Sequence, residues 1–172
     1  MKNIINISNY TVVDIETTGF NKNSDEIIEI AALKVRNNVI TEQFQQLINP
    51  QVLIKKNITD LTGINNEMVK DMPDKYVTVM KLKDFIEDDI ILGHNISFDL
   101  GFICTTLKEL DLSLNNDSVD TLNISRKIIS NIENYKLTTL RSYFKIENEA
   151  HRALEDCIAT KKIYDELIKL SY

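Results

Sequence analysis

Cysteine is nearly absent from this chain, with two among 172 residues, and neither lies in a paired ligand spacing. Cys104 and Cys157 therefore make no disulfide framework and no zinc site of the Cys-x-x-Cys kind; both fall in stretches that read as helix and are expected to be small core residues. Long apolar runs are also missing: none approaches the ~20 residues that a membrane span needs. The first residues, a single Lys followed by polar-interrupted Ile, make no signal-peptide core. The expectation is a soluble, cytoplasmic chain with no membrane partner. Positive charge is in short supply as well, with 20 Lys and Arg against 26 Asp and Glu and a formal net charge of −6. That balance excludes a generally basic nucleic-acid coat. It does not exclude a protein that contacts a few phosphates and offsets them with metal ions.

What is present is ordinary globular material, 43% hydrophobic and 27% charged. There is no internal repeat, low-complexity tract or linker, so residues 1–172 are expected to form one domain. The organising stretch is Tyr10 to Phe20. It starts as an apolar, β-branched run with the composition of a central strand, and two carboxylates, Asp14 and Glu16, interrupt it two residues apart. On a strand that spacing puts both side chains on one face. Two adjacent carboxylates on a buried strand repel each other, and burying them unpaired costs several kcal/mol. A cation resolves the conflict. Thr17, Thr18 and Gly19 then end the strand. An isolated Asp-x-Glu is more often a solvated edge, so the weight of the motif depends on what accompanies it.

Further on, Glu26 to Val35 reads as a second strand, Asn37-Asn38 as a hairpin turn and Val39 to Ile48 as a third strand. Glu29 is expected on a solvated face or edge of that second strand. A long connection follows, with short helices around Thr59 to Gly63 and after Asn65 or Asn66. Val77 to Asp88 carries an amphipathic helical pattern, and Asp89 to Asn95 fits a short buried parallel strand. Ser97 is placed to cap a helix over Phe98 to Leu110. Asp117 to Asp120 reads as another strand, and helices are expected over Leu122 to Ile132, Lys136 to Phe144 and Arg152 to Leu170. Three antiparallel strands followed by strands alternating with helices predict an α/β fold with a mixed sheet of about five strands.

Two further clusters join Asp14-x-Glu16. His94 to Asp99 lies where a strand end enters a helix, and His151 to Asp156 lies at the start of the last helix. The chain's two histidines thus each sit beside a candidate ligand carboxylate. Asp14-Ile-Glu16-Thr-Thr-Gly, His94-Asn-Ile-Ser-Phe-Asp99 and His151-Arg-Ala-Leu-Glu-Asp156 resemble, in order and spacing, the three motifs of the DEDDh, or DnaQ-like, 3′–5′ exonucleases. Leu61-Thr62-Gly63-Ile64, Asp120-Thr121-Leu122 and Tyr135 to Leu140 strengthen the resemblance, which covers about residues 9 to 170.

The resemblance implies a ribonuclease H-like fold and metal-dependent release of nucleoside 5′-monophosphates from the 3′ ends of single-stranded or frayed DNA, in proofreading or repair. It implies two Mg²⁺ or Mn²⁺ ions as cofactors, and hard oxygen ligands fit that choice. Asp14 would bridge the ions, Glu16 and Asp156 would complete the site that holds the attacking water, and Asp99 would support the second ion. His151 would be the general base, whereas His94 would be structural. Thr17, Thr18 and Phe20 would flank the terminal sugar and base, Leu61 and Thr62 would form the opposing wall, and Asn95 and Phe98 would line the same pocket. For Leu61, Phe20 and Phe98, core packing competes with that role. Arg152 and Glu155 read as surface or supporting residues and Lys136 as a solvated charge. RNA 3′ ends are an alternative substrate, a DNA polymerase subunit is a candidate partner, and a catalytically silent binding module is the reading of a different class.

Overall fold

The computed structural model describes residues 6–147 and 152–171. β1 (Tyr10–Thr17) lies at the centre of a five-stranded sheet ordered β3-β2-β1-β4-β5. β2 (Ile27–Arg36) and β3 (Val39–Leu47) form an antiparallel meander with it, whereas β4 (Ile91–Gly93) and β5 (Ser118–Asp120) run parallel to it. This is the mixed α/β sheet that the sequence pattern predicts. Asn37 and Asn38 join β2 to β3 with φ of 51° and 64°, the left-handed pair that a two-residue hairpin requires and that asparagine tolerates.

The helices divide between the two faces. Val13 and Ile15 of β1 pack with Val79, Leu82 and Ile86 of α3 (Lys75–Ile86) and with Phe102, Ile103 and Leu107 of α4 (Ser97–Glu109). Tyr10 and Val12 alternate to the other face. There they meet Cys157, Ile163, Tyr164 and Leu167 of α7 (Ala153–Leu170), with α5 (Thr121–Ile128) and α6 (Leu137–Tyr143) beside them. β2 is covered on both sides, which explains its nearly continuous apolar run from Ile27 to Val35. Two short helices, α1 (Lys56–Thr62) and α2 (Asn66–Val69), close a smaller cluster over Ile28.

Local chemistry sets the boundaries. The side chains of Asn65, Asp74 and Asp120 accept backbone N–H bonds at the starts of α2, α3 and α5. Ser97 does not cap α4; it is the first helical residue, behind Ile96 in helical conformation. Cys104 is exposed rather than a core residue, because the buried stripe of α4 runs through Phe102, Ile103, Thr106 and Leu107 and leaves position 104 off it. Cys157 is buried, and its thiol lies 3.5 Å from the Ala31 carbonyl. Among the described residues, no helix is long and apolar enough to cross a membrane.

Candidate active site

Asp14 and Glu16 continue the side-chain stripe that Tyr10 and Val12 begin, so β1 turns from apolar to anionic towards its carboxyl end while still facing α7. Asp156 comes down onto the same spot from the first turn of α7. Each of the three carboxylates places an oxygen within 4.8 Å of the others; Asp14 and Glu16 are half-buried and Asp156 is buried. Burial, followed by the charges of Asp99, Asp156, Glu16 and Glu29, pushes the Asp14 carboxyl well above the usual carboxylate range. Burial and then Asp156 raise Glu16 to about 8, against an opposing pull from Arg152. Arg141 approaches Asp156 at 3.7 Å, but no cation lies within salt-bridge distance of Asp14 or Glu16 among the described residues. Three oxygen-only groups, with Asp14 and Glu16 raised in proton affinity by their surroundings, are a donor set suited to a hard divalent cation.

Asp99 lies outside that close trio. The pairing of β4 with β1 covers only Thr11 and Val12, so the Ile15 N–H on that side of β1 lies beyond the ladder. Asp99, in the first turn of α4, accepts the Ile15 N–H at 3.0 Å. Burial raises it to about 8, although hydrogen bonds from its own backbone and from Ile15 oppose the shift. Its position against β1 is therefore fixed by the backbone that carries Asp14 and Glu16. His151 lies outside the described residues.

Glu29 is not on a solvated edge. It is completely buried and lies directly across from Glu16 in the β1–β2 register. Its oxygens accept four hydrogen bonds: Arg152 Nη2 at 2.7 Å, Arg152 Nε at 3.1 Å, the Ala153 N–H at 3.1 Å and Gln45 Nε2 at 2.9 Å. With its lone pairs so engaged, it is not left free to act as a metal ligand. Its role in sequence was masked because the fork that neutralises it lies 123 residues away. The available signal was a lone carboxylate among the apolar residues from Ile27 to Leu33.

The remaining predicted residues surround the carboxylates unevenly. The Thr17 hydroxyl donates to the Gly19 carbonyl, and the Thr18 hydroxyl accepts the Glu26 N–H. Gly19 runs so close to Asp25 that a Cβ there would meet its carboxylate at 2.5 Å. Phe20 is 88% exposed, with its ring 6.2 Å from Phe98. Leu61 is exposed. Thr62 is buried, its hydroxyl donating to the Ile58 carbonyl and accepting the Ile64 N–H. Asn95 takes a left-handed conformation, φ 61°, and donates its N–H to Asp120. His94 is locked beside it. Its Nε2 faces the Tyr135 carbonyl at 2.9 Å and so carries the proton, while Nδ1 lies 2.9 Å from the Thr121 hydroxyl. Burial lowers its pKa, which suits a neutral structural imidazole.

Comparison with known proteins follows the same outline. A family model described as "Exonuclease" (RNase_T) matches residues 11–164. The chain is 40% identical over 161 residues to a PolC-type DNA polymerase III of Caldanaerobacter subterraneus subsp. tengcongensis, covering 93% of this chain and 12% of the relative. The PolC-type polymerase of Bacillus subtilis is 37% identical over 163 residues, covering 93% and 11%. The chain thus spans about a tenth of the length of these relatives. Among solved structures, Exonuclease X in complex with 5′ overhanging duplex DNA superposes with a TM-score of 0.75 at 22% identity, covering 94% of this chain and 92% of that one. Escherichia coli Exonuclease I in complex with a dA16 oligonucleotide superposes at 0.80 with 20% identity, covering 95% and 41%. These likenesses show a shared ribonuclease H-like fold.

Proposed function

The chain belongs to the RNase_T exonuclease family, and from that premise we propose that it is a cytoplasmic, metal-dependent 3′–5′ exonuclease acting on single-stranded or frayed DNA ends. The observation that carries this reading is the convergence of Asp14, Glu16 and Asp156 within 4.8 Å, with Asp99 tied to the same strand. Asp14, Glu16 and Asp156 would hold two Mg²⁺ or Mn²⁺ ions, with Asp99 supporting them. Bound there, divalent ions supply charge to the scissile phosphate and make water acidic enough to ionise near neutral pH.

The residues of the chain do the rest. His151 accepts the proton of the attacking water, a role that an imidazole titrating near ~6.5 fills at working pH. Water oxygen bonds to phosphorus, the bond from phosphorus to the upstream 3′ oxygen breaks, and that oxygen takes a proton from solvent to become the 3′ hydroxyl of the shortened strand. Thr17, Thr18, Phe20, Leu61, Asn95 and Phe98 enclose the terminal sugar and base. The exposed Phe20 ring offers a stacking face that reads no sequence, at roughly 1–3 kcal/mol per base. Thr62 contributes by holding the end of α1 under Leu61 rather than through its hydroxyl, which bonds inward. The resemblance to PolC-type polymerases makes proofreading beside a polymerase the favoured role.

The test is a time course on matched 5′-labelled DNA and RNA oligonucleotides with Mg²⁺ or Mn²⁺, with Asp14→Ala as the control. A one-nucleotide ladder on DNA, absent in the variant, is the expected result. A ladder mainly on RNA would move the substrate to RNA, and no ladder on either would leave a silent binding module.

A further inference from the structure

A cleft of about 540 Å³ opens between the His94–Asn95 turn, α5 and the 134–137 segment that leads into α6. It lies beyond the carboxyl ends of β4 and β5, and both run parallel to β1 or its neighbour, so this is the end of the sheet where Asp14 and Glu16 emerge. Asn95 lines it and stands four residues before Asp99. The cleft therefore adjoins the carboxylate site without including it.

Its lining differs in charge from that of three other clefts among the described residues. Arg126 and Lys136 line it, and no carboxylate does, in a chain with 26 Asp and Glu. Three other clefts among the described residues each include at least one: Asp120, Asp165, and Glu87 with Asp88 and Asp117. Neither Arg126 nor Lys136 is ion-paired among the described residues, whereas Arg141 and Arg152 are committed to Asp156 and Glu29. The Asn134 carboxamide oxygen is taken by the Lys136 N–H and the Thr139 hydroxyl, which leaves its NH₂ as the donor available to the cleft. Leu122 and Leu137 supply apolar wall. Two cations, amide donors and an apolar wall suit an anionic backbone with sugars between its charges.

We propose that this cleft holds the sugar–phosphate backbone of the substrate strand on the 5′ side of its terminal nucleotide, with Arg126 and Lys136 as phosphate ligands. The proposal rests on the exonuclease reading above. A strand cut from its 3′ end leaves all its other phosphates on one side of the carboxylates, and Asn95 joins the terminal-nucleotide pocket to this cleft. It explains how an acidic protein grips a polyanion: the cations are few but placed in one run beside the metal site.

The test is the double variant Arg126→Ala/Lys136→Ala, both side chains being exposed and outside the core. Binding of a labelled ten-nucleotide DNA is measured by fluorescence anisotropy in Ca²⁺, and turnover is measured on the same DNA and on thymidine 5′-monophosphate p-nitrophenyl ester, which has no upstream phosphate. The expected result is DNA binding weakened about tenfold at low salt, with the slope of log K against log salt shallower by about 1.4 for two lost single-strand phosphate contacts. KM for the oligonucleotide should rise by a similar factor, with kcat and ester hydrolysis unchanged. Equal affinity and equal salt slope in variant and parent would overturn the proposal. Absence of turnover by the parent on either substrate would sink the exonuclease reading instead, while anisotropy would still decide the cleft.

Discussion

The buried Glu29 and the half-buried Arg152 form a two-pronged ion pair that joins β2 to the start of α7, at 2.7 and 3.1 Å. The same carboxylate accepts the Ala153 N–H, so side chain and backbone of the helix start are held together. Asp156 is three residues further on, and His151 immediately precedes the arginine in sequence. Glu29 is thus a positioning residue: it places a helix, and the helix places a metal ligand.

Replacing Glu29 should therefore affect turnover beyond stability. Glu29→Ala removes the acceptor of four hydrogen bonds but leaves a guanidinium that is partly solvated and close to Glu16, so it should destabilise the protein by about 1–3 kcal/mol. Glu29→Gln keeps the shape and accepts fewer charge-assisted bonds. It should stay folded yet lose about 10–100-fold in kcat or metal affinity, the range typical of groups that orient ligands. Titration calorimetry with Mn²⁺ beside steady-state kinetics would check this. A Glu29→Gln enzyme with parental kcat and metal affinity would reduce the residue to a structural strut.

Asp14→Asn should remove activity by at least about 10³-fold, because several kcal/mol of transition-state stabilisation go with the metal it holds. Without metal the variant should melt no lower than the parent, since it relieves repulsion among Asp14, Glu16 and Asp156. Thermal melts in chelator with parallel activity assays would settle both halves. A variant that melts well below the parent would show that Asp14 is held for packing.

Local pattern made most of this architecture legible. Alternation on β1, the Asn37-Asn38 turn and the helical spacing of Val79, Leu82 and Ile86 are short-range signals, and the sheet follows from them. Asp14 and Glu16 were readable because a strand's two-residue period puts them side by side. Glu29 was not, since what makes its burial tolerable is an arginine brought from 123 residues away. Cys104 was misplaced for a similar reason: a helix periodicity fixes a stripe only to within one residue, and position 104 lies just off it. Thr62 shows a third limit, because the direction of a hydroxyl depends on the turn that Gly63 makes at φ 73°.

Proton linkage gives a signature of the carboxylate site when metal is withheld. Glu16 and Asp99 are each raised to about 8 in the folded chain, from ordinary values of about 4. A raised carboxyl binds its proton more tightly when folded, so its contribution to stability is complete below pH ~4 and lost as pH climbs towards 8. The melting temperature of metal-free protein should therefore fall between pH 5.5 and pH 8. Saturating Mg²⁺ should restore it, and by more at pH 8 than at pH 5.5, because protons and metal compete for the same oxygens. Differential scanning fluorimetry across that range, with chelator or Mg²⁺, measures it. A Mg²⁺ shift equal at both ends would mean that the carboxylates are already ionised without metal.

His151 carries the last prediction. If it accepts the proton of the attacking water, His151→Ala should slow turnover by about 10²–10⁴-fold, the usual worth of general-base catalysis. Mn²⁺ affinity should hold, because the ligand set of Asp14, Glu16 and Asp156 is intact without it. The low-pH limb of the kcat profile should then flatten, since the group that must lose a proton is gone. Raising the pH should also recover part of the rate, as hydroxide replaces the missing base. A His151→Ala enzyme that keeps parental turnover and an unchanged acidic limb would place the base elsewhere. His94 would not inherit the role, because both its ring nitrogens are taken by Thr121 and Tyr135.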